Sequence, residues 1–166
     1  NQPLRLSSQV TFTDKQLSIT GAGSAASKII CTDTGGIKFV STATTELVAS
    51  QHRFTVNGVS MVQDSEPAAG AGATAIEGVW NYAGSGTIER FTSNDLTISG
   101  GGVGKHWYKG VRLVDCAQVR MTNFNFFNQD GHQTCLAEAG VEFVRDNATN
   151  VTGFSLTNFR ISRVVN

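Results

Sequence analysis

A five-residue block that recurs four times constrains the fold of this chain more than any other feature. Each copy contains a small residue, Ile or Val, a charged residue, a variable residue and Val. The copies span residues 36–40, 75–79, 110–114 and 140–144, and they begin 39, 35 and 30 residues apart. A fixed template separated by variable spacers is typical of a solenoid, in which each turn contributes short strands and insertions lie in loops.

A second block alternates with the first along the chain. It consists of an apolar, a polar and an apolar residue, two turn-like residues, and an apolar pair around a variable residue. Copies lie at 54–61, 119–126 and 154–161, with a glycine-rich version at 96–100 and an opening version at 17–21. Asn57, Asn123 and Asn158 fall at the bend, where Asn tolerates left-handed backbone angles. We expect their stacked side chains to form an Asn ladder.

The alternation of side chains within a strand predicts how these blocks stack. It sends Ile37 and Phe39 to one face and Lys38 to the other. We expect two columns of stacked apolar residues, one of Val40, Val79, Val114 and Val144 and one of Met61, Val103, Phe126 and Ile161. A single coil cannot bury its apolar face, so the core comes from stacking.

The repeats therefore predict an all-β fold, a right-handed parallel β-helix. We expect a single-stranded solenoid of about four to five coils, from about residue 10 to residue 163, as one domain covering residues 1–166. The rival fold is a β-sandwich, which also has short strands and turns, but its strands do not normally repeat one residue template in register.

Composition excludes several classes of function. The chain has 13 basic and 13 acidic residues, whereas a nucleic-acid binder usually has a basic surplus. No apolar run approaches the roughly 20 residues of a membrane helix, so we expect neither nucleic-acid binding nor membrane insertion. Three cysteines without CxxC spacing and three scattered histidines, His52, His106 and His132, argue against a disulfide framework and a metal site. We expect buried free thiols, a reducing compartment for folding, and no cofactor.

Two segments resemble a known family. The stretch 17–24, Leu-Ser-Ile-Thr-Gly-Ala-Gly-Ser, followed by Lys28-Ile-Ile30, resembles the opening coil of pectate-lyase-like β-helix proteins. The stretch 110–127, from Gly-Val-Arg-Leu-Val to Asn-Phe-Asn-Phe-Phe, resembles their repeating coil. The resemblance covers about residues 10–163 and rests on core and turn residues, so it is specific to the fold.

Within that family, the Ser/Thr/Asn-rich strands and unpaired cysteines look most like bacteriophage tailspikes. That resemblance implies a homotrimer at the virion tail, folded in the host cytoplasm, which binds and usually cleaves bacterial surface polysaccharide such as capsule or O-antigen. A complete tailspike usually has more coils, so we expect this chain to be a piece of a longer β-helix.

The charged residues of the first block fall in one outward column, which comprises Lys38, Glu77, Arg112 and Glu142. Adjacent coils lie about 4.8 Å apart, so basic and acidic residues alternate along the stack. One interpretation is a solvated ladder that keeps the sheet soluble and in register, in which each pair contributes little free energy. The functional interpretation is a polysaccharide-binding face with acid and base groups.

Two carboxylate pairs are candidates for hydrolysis, which needs carboxyl groups about 5–5.5 Å apart for retention or about 6.5–9.5 Å apart for inversion. Glu77 and Glu142 are two coils apart, roughly 9.6 Å between backbones. Asp115 and Asp146 follow their strands at the sheet edge and form the second pair. A lyase would instead use a base such as Arg112 or Lys38. The sequence does not separate hydrolase from lyase.

Aromatic residues provide candidate sugar-stacking surfaces. The insertion at 101–109 contains His106, Trp107 and Tyr108, and Trp80 and Tyr82 follow a first-block strand. Aromatic faces stack on sugar rings and contact cations. The alternative is that these rings pack on neighbouring residues.

The sequence is compatible with four functions. The chain is a polysaccharide depolymerase segment, a binding-only β-helix of a receptor-binding fibre, a structural spacer, or a secreted pectate-lyase-like enzyme.

Overall fold

The structure is a computed structural model and describes residues 2–66, 73–82, 89–102, 104–127, 137–146 and 153–162. Val103, His132 and Cys135 lie outside these residues. The described chain is almost entirely β, with one short helix, α1, at Glu46–Ala49. The strands are β1 Leu4–Leu6, β2 Gln9–Thr13, β3 Leu17–Thr20, β4 Lys28–Cys31, β5 Gly36–Ser41, β6 Phe54–Gln63, β7 Thr74–Trp80, β8 Phe91–Gly100, β9 Lys109–Val114, β10 Val119–Phe127, β11 Ala139–Val144 and β12 Phe154–Ser162.

The strands form two sheets, and the pairings between the named strands are all parallel. Sheet A has the order β1-β4-β6-β8-β10-β12. β3 and β4 lie end to end along one edge of β6, β3 paired with its first half and β4 with its second. Sheet B has the order β11-β9-β7-β5-β2. From β5 onwards, successive strands alternate between the two sheets, so each pair of strands forms one layer of the stack. The predicted all-β class with parallel strands is confirmed, and parallel pairing does not fit the antiparallel β-sandwich.

The four copies of the first block lie directly over one another in sheet B. Ile37 pairs with Ile76, Ile76 with Val111, and Val111 with Val141. The column of four valines also forms. It lies on the outer face, however, because alternation places Val40 on the same side of the strand as Lys38 and opposite to buried Phe39.

The second block stacks in sheet A with one correction to the predicted register. The column that includes Met61 continues through Ile98, Phe126 and Ile161. Ile98 therefore occupies the layer that was predicted for Val103, which lies outside the described residues. Leu96 pairs with Val59, and the copy in β8 therefore begins at Phe91. The sequence hid this copy because Ser93 occupies a position that is apolar in the other strands.

The long strands of sheet A bend at residues with left-handed backbone angles, and amide side chains link the layers there. The bend residues are Gly58, Asp95, Asn123 and Asn158, with φ of 62°, 53°, 52° and 51°. Asn57 Oδ1 accepts from the Asn94 backbone N–H at 3.0 Å, Asn123 donates to Asn94 at 3.1 Å, and Asn158 donates to Asn123 at 2.6 Å. The predicted Asn ladder forms between Asn123 and Asn158, and Asn94 is an additional member. The prediction that Asn57 lies at the bend was wrong, because Gly58 is the bend residue of β6 and Asn57 precedes it by one position.

The core lies between the sheets and contains aromatic side chains whose rings contact one another. The rings of Phe39 and Phe54 have centroids 5.5 Å apart, and those of Phe54 and Phe91 are 5.4 Å apart. Full burial of a large apolar side chain stabilises a fold by about 1.5–3 kcal/mol. Cys31 and Cys116 are buried free thiols, as expected. Burial raises the pKa of Cys31 to about 12, so this thiol stays protonated at neutral pH.

Candidate functional site

The outer face of sheet B brings the four predicted charged residues into one column. Lys38 pairs with Glu77, Glu77 with Arg112, and Arg112 with Glu142 in adjacent strands. These four residues are called the charge ladder below. Their alternation of sign along the stack is as predicted.

The carboxylate of Glu77 binds cations from both neighbouring layers. Its Oε2 lies 2.9 Å from Lys38 Nζ, and its Oε1 lies 2.5 Å from Arg112 Nη1. Only 12% of the Glu77 side chain is exposed, less than for either cation. Glu77, on β7, therefore links the two neighbouring strands of sheet B, because its carboxylate contacts Lys38 on β5 and Arg112 on β9.

Glu142 is held in the same way at the other end of the charge ladder. Its Oε2 lies 3.0 Å from Arg112 Nε and 3.0 Å from Lys109 Nζ. Lys109 also reaches Glu138 at 3.4 Å. Arg112 therefore joins the two carboxylates of the first predicted catalytic pair, with one nitrogen on each.

An open cleft of about 510 Å³ borders the charge ladder. Its walls combine amide, hydroxyl and charged groups, and the lining residues are Gln9, Thr34, Ala73, Thr74, Glu77, Lys109, Arg112 and Glu138. Each of the charged residues in this lining is in an ion pair with an opposite charge. The cleft thus presents many hydrogen-bonding groups with a balanced charge.

The electrostatics of Glu77 do not suit a general acid. Burial raises the pKa of its carboxyl, but hydrogen bonds and positive charge from Lys38 and Arg112 outweigh burial and leave the pKa below its ordinary value. A general acid in glycoside hydrolysis needs a raised pKa so that it is protonated at working pH. Lys38 and Arg112 both contact the Glu77 carboxylate, which does not favour a role for either as a lyase base.

In the second predicted carboxylate pair, the Asp115 side chain accepts a hydrogen bond from the backbone of Asp146. Asp115 is buried, with φ of 51°, and its Oδ1 accepts from the Asp146 backbone N–H at 2.8 Å. Asp14 makes the corresponding bond to the Thr42 N–H at 2.6 Å, at the end of β2. Asp115 therefore ties the turn after β9 to the turn after β11, while Asp146 is exposed beside it.

Four of the five predicted aromatic residues lie in the core. Trp80 and Trp107 are fully buried, and His106 and Tyr108 are nearly so. The Trp80 ring occupies the space beside Gly78 and packs on Phe39 at 5.2 Å between centroids. These four side chains therefore pack on neighbouring protein residues, the alternative to sugar stacking. For Trp80, the missing side chain at Gly78 leaves room for the indole.

The loop aromatics and Tyr82 are fixed by specific partners. Trp107 Nε1 donates to the Ser99 carbonyl at 3.0 Å, and the His106 and Tyr108 rings meet edge to face. Tyr82 is half-buried, and its ring lies 5.7 Å from the Arg90 guanidinium carbon. Of the predicted aromatics, Tyr82 alone retains partial exposure.

Six of the eight residues that line the cleft were not among the predicted site residues, and three of these six carry long polar or charged side chains. Lys109 immediately precedes the third copy of the first block, and Glu138 lies two residues before the fourth copy, so both are just outside the template that defined the candidates. Gln9 lies on β2, which pairs with β5 although it lacks the charged template. The tertiary structure shows that Gln9 pairs with Gly36, and this pairing is what assigns Gln9 to sheet B.

Within the described residues, no cluster of three or more His, Cys, Asp or Glu side chains is arranged to hold a metal ion. Across the same ranges, no helix has the length and apolar character needed to cross a membrane.

Comparison with known proteins gives no relative for this chain: no family model fits it, and no curated protein or solved structure matches it. The cleft and the charge ladder are therefore the features from which a function can be inferred.

Proposed function

We propose that this chain is a segment of a right-handed parallel β-helix. Two observations support this: strands alternate between two parallel sheets, and equivalent residues stack in at least four layers. Connections between parallel strands of one sheet are right-handed in about 98% of cases, which supports the right-handed form.

The function that this geometry supports best is binding of bacterial surface polysaccharide in the cleft beside the charge ladder. The observation that supports this proposal is an open polar cleft of about 510 Å³ whose charged side chains form ion pairs with opposite charges. Sugar hydroxyls both donate and accept, so they match a wall of amides, hydroxyls and paired ions. Location at a phage tail, as a homotrimer, remains a prediction from the resemblance to tailspikes.

Binding without cleavage is favoured over catalysis by the charge ladder. Arg112 contacts both Glu77 and Glu142, so a water or sugar that reached between the two carboxylates would have to displace its guanidinium. Breaking such partly buried ion pairs leaves charges unpaired and is costly. In this proposal the charge ladder contributes to the wall of the binding cleft and helps to fix the register of the strands.

Depolymerisation is the second candidate function. The observation that favours it is that two carboxylates, Glu77 and Glu138, line one cleft. Hydrolysis through this pair requires one of them to be freed from Lys109 or Arg112 when the polysaccharide binds.

The test combines a glycan array of bacterial capsule and O-antigen polysaccharides with a product assay on each ligand. We expect saturable binding that Gln9→Ala weakens about tenfold, because a cleft hydrogen bond is lost. Gln16→Ala is the matched control, since Gln16 is exposed and outside the cleft lining. A blank array would contradict binding and leave a structural spacer.

The product assay separates the two candidates. Binding alone predicts no new reducing ends and no unsaturated uronate, for the parent chain and for Glu77→Gln alike. Release of sugar fragments that Glu77→Gln abolishes, while binding persists, would establish depolymerisation instead.

A further inference from the structure

The cleft beside the charge ladder extends across the five strands of sheet B. Gln9, Thr74 and Lys109 are the first residues of β2, β7 and β9. Thr34 and Glu138 lie just before β5 and β11. Neighbouring strands of a sheet are about 4.8 Å apart, so five strands extend this wall over roughly 19 Å. The charge of the wall therefore acts on a polymer chain over a length of several strands.

Each of the two cations that line the cleft contacts two carboxylates. Lys109 Nζ lies 3.4 Å from Glu138 Oε2 and 3.0 Å from Glu142 Oε2. Arg112 places Nη1 on the Glu77 carboxylate and Nε on that of Glu142. The positive charge of the wall is therefore already engaged by contacts within the protein.

The charges around the cleft cancel. Three cations and three carboxylates contact one another in what is called the ion-pair cluster, which comprises Lys38, Glu77, Lys109, Arg112, Glu138 and Glu142. Although burial raises the pKa of the Glu77 carboxyl, the two cations beside it keep that pKa below its ordinary value. Glu77 is therefore ionised at neutral pH, and the formal charge of the ion-pair cluster is zero.

We propose that the cleft selects uncharged polysaccharides over acidic ones, an inference that rests on the binding function proposed above. The favoured ligand is a polymer of neutral sugars, and the rejected class carries uronate or phosphate groups in its repeating unit. Sugar hydroxyls can bond to uncharged lining groups such as Gln9 and Thr34. They can also donate to the carboxylate oxygens of the ion-pair cluster, and every ion pair then stays in place.

An acidic group is opposed at the same wall by the carboxylates that already hold its cations. To contact Lys109 directly, such a group has to replace Glu138 or Glu142. The displaced carboxylate loses its partner while a second anion lies beside it, and both effects oppose binding. The side chains of Lys109 and Arg112 are less than a third exposed, so water and salt screen these charges only in part. Specificity then comes from the penalty on the wrong ligand.

The first test uses a panel of purified bacterial capsule and O-antigen polysaccharides, half of them uncharged and half with uronate or phosphate in each repeating unit. We expect binding among the uncharged members only, with an affinity that changes less than about twofold between low and physiological salt. A blank panel would refute the binding function and this inference with it. Acidic members that bind as tightly as the uncharged ones would refute the inference and leave the binding function standing.

A chemically matched set of ligands removes differences in sugar sequence. One uncharged polysaccharide that binds is compared with the same polymer after part of its primary hydroxyls have been oxidised to carboxylates, and with the methyl ester of that oxidised polymer. We expect oxidation to weaken binding about tenfold and esterification, which removes the charge again, to restore most of it. Equal affinity for the parent and oxidised forms, or an ester that binds as weakly as the acid, would overturn the proposal.

A variant of the cleft tests whether its own charge sets this preference. Glu138→Gln removes one negative charge from a side chain that is 63% exposed, and it keeps the bond from the residue 138 backbone N–H to the Tyr108 carbonyl. We expect the ratio of affinities for the uncharged and oxidised polymers to fall about tenfold. Glu66→Gln is the matched control, because it makes the same charge change at an exposed residue outside the cleft lining and should leave the ratio unchanged. The same ratio in both variants would contradict the inference.

Discussion

At the scale of single residues, the most informative side chain is Glu77. It is the least exposed member of the charge ladder and contacts a cation in each neighbouring layer. Exposed ion pairs contribute little to stability, but removing one partner of a partly buried pair leaves the other charge without compensation. Glu77 should therefore contribute more to stability than its surface location in a strand suggests.

Glu77→Gln should lower the free energy of unfolding by about 1–2 kcal/mol at neutral pH. The pKa of Glu77 lies below its ordinary value of 4.5 in the folded chain. Its contribution is therefore complete above that value and is lost as pH falls through the lower folded pKa. Urea unfolding of both proteins at neutral and acidic pH should show curves that converge on acidification. A stability difference that does not change with pH would contradict the ion-pair explanation.

At the scale of elements, the stacked bend residues of sheet A show why equivalent positions in similar strands hold different residue types. Asn123 and Asn158 adopt left-handed angles at the bend of β10 and β12, and Gly58 takes the same position in β6. Backbone angle alone would allow Asn at all three positions. At Gly58 a Cβ atom would lie 2.7 Å from the Gly21 carbonyl oxygen, so the segment between β3 and β4 requires glycine there.

Gly58→Asn should destabilise the chain by about 2 kcal/mol, because backbone atoms must move to admit the side chain. The matched control is Asn158→Gly, which keeps the left-handed angle and removes one hydrogen bond to Asn123. We expect the control to cost about 0.5–1 kcal/mol, measured by chemical denaturation. Equal losses for the two variants would show that the close approach at Gly21 does not matter.

At the scale of the whole molecule, stability is built layer by layer. Each layer contacts only its neighbours, so a residue contributes most when layers cover it on both sides. Phe124 and Phe159 occupy the same column and pair directly, yet Phe124 is 1% exposed and Phe159 is 54% exposed. They form a natural comparison of inner and outer layers.

Phe124→Ala should lower the free energy of unfolding by about 3–5 kcal/mol through cavity formation and lost burial. Phe159→Ala should cost less than about 1.5 kcal/mol, because water already reaches that ring. Thermal and denaturant unfolding of the two variants would test this difference. A loss at Phe159 as large as that at Phe124 would contradict the dependence of stability on coverage by neighbouring layers.

Local patterns were sufficient to predict the stacking of this chain and its charge ladder. Alternation within a strand and a repeated template are properties of the sequence, and together they predicted the pairing of Lys38, Glu77, Arg112 and Glu142. The same reasoning missed the strand copy at Phe91, because Ser93 replaces an apolar residue there. It also placed the valine column inward, although strand alternation puts Val40 on the side of Lys38.

The tertiary structure alone decided what the candidate site residues contact. Sequence gives the layer in which Glu77 and Glu142 lie, but only coordinates show that Arg112 binds both, because that depends on how long side chains reach across layers. Trp80 entered the core because Gly78 leaves space for its ring. Register follows from local periodicity, whereas burial and ion pairing depend on which distant residues fill the space around each side chain.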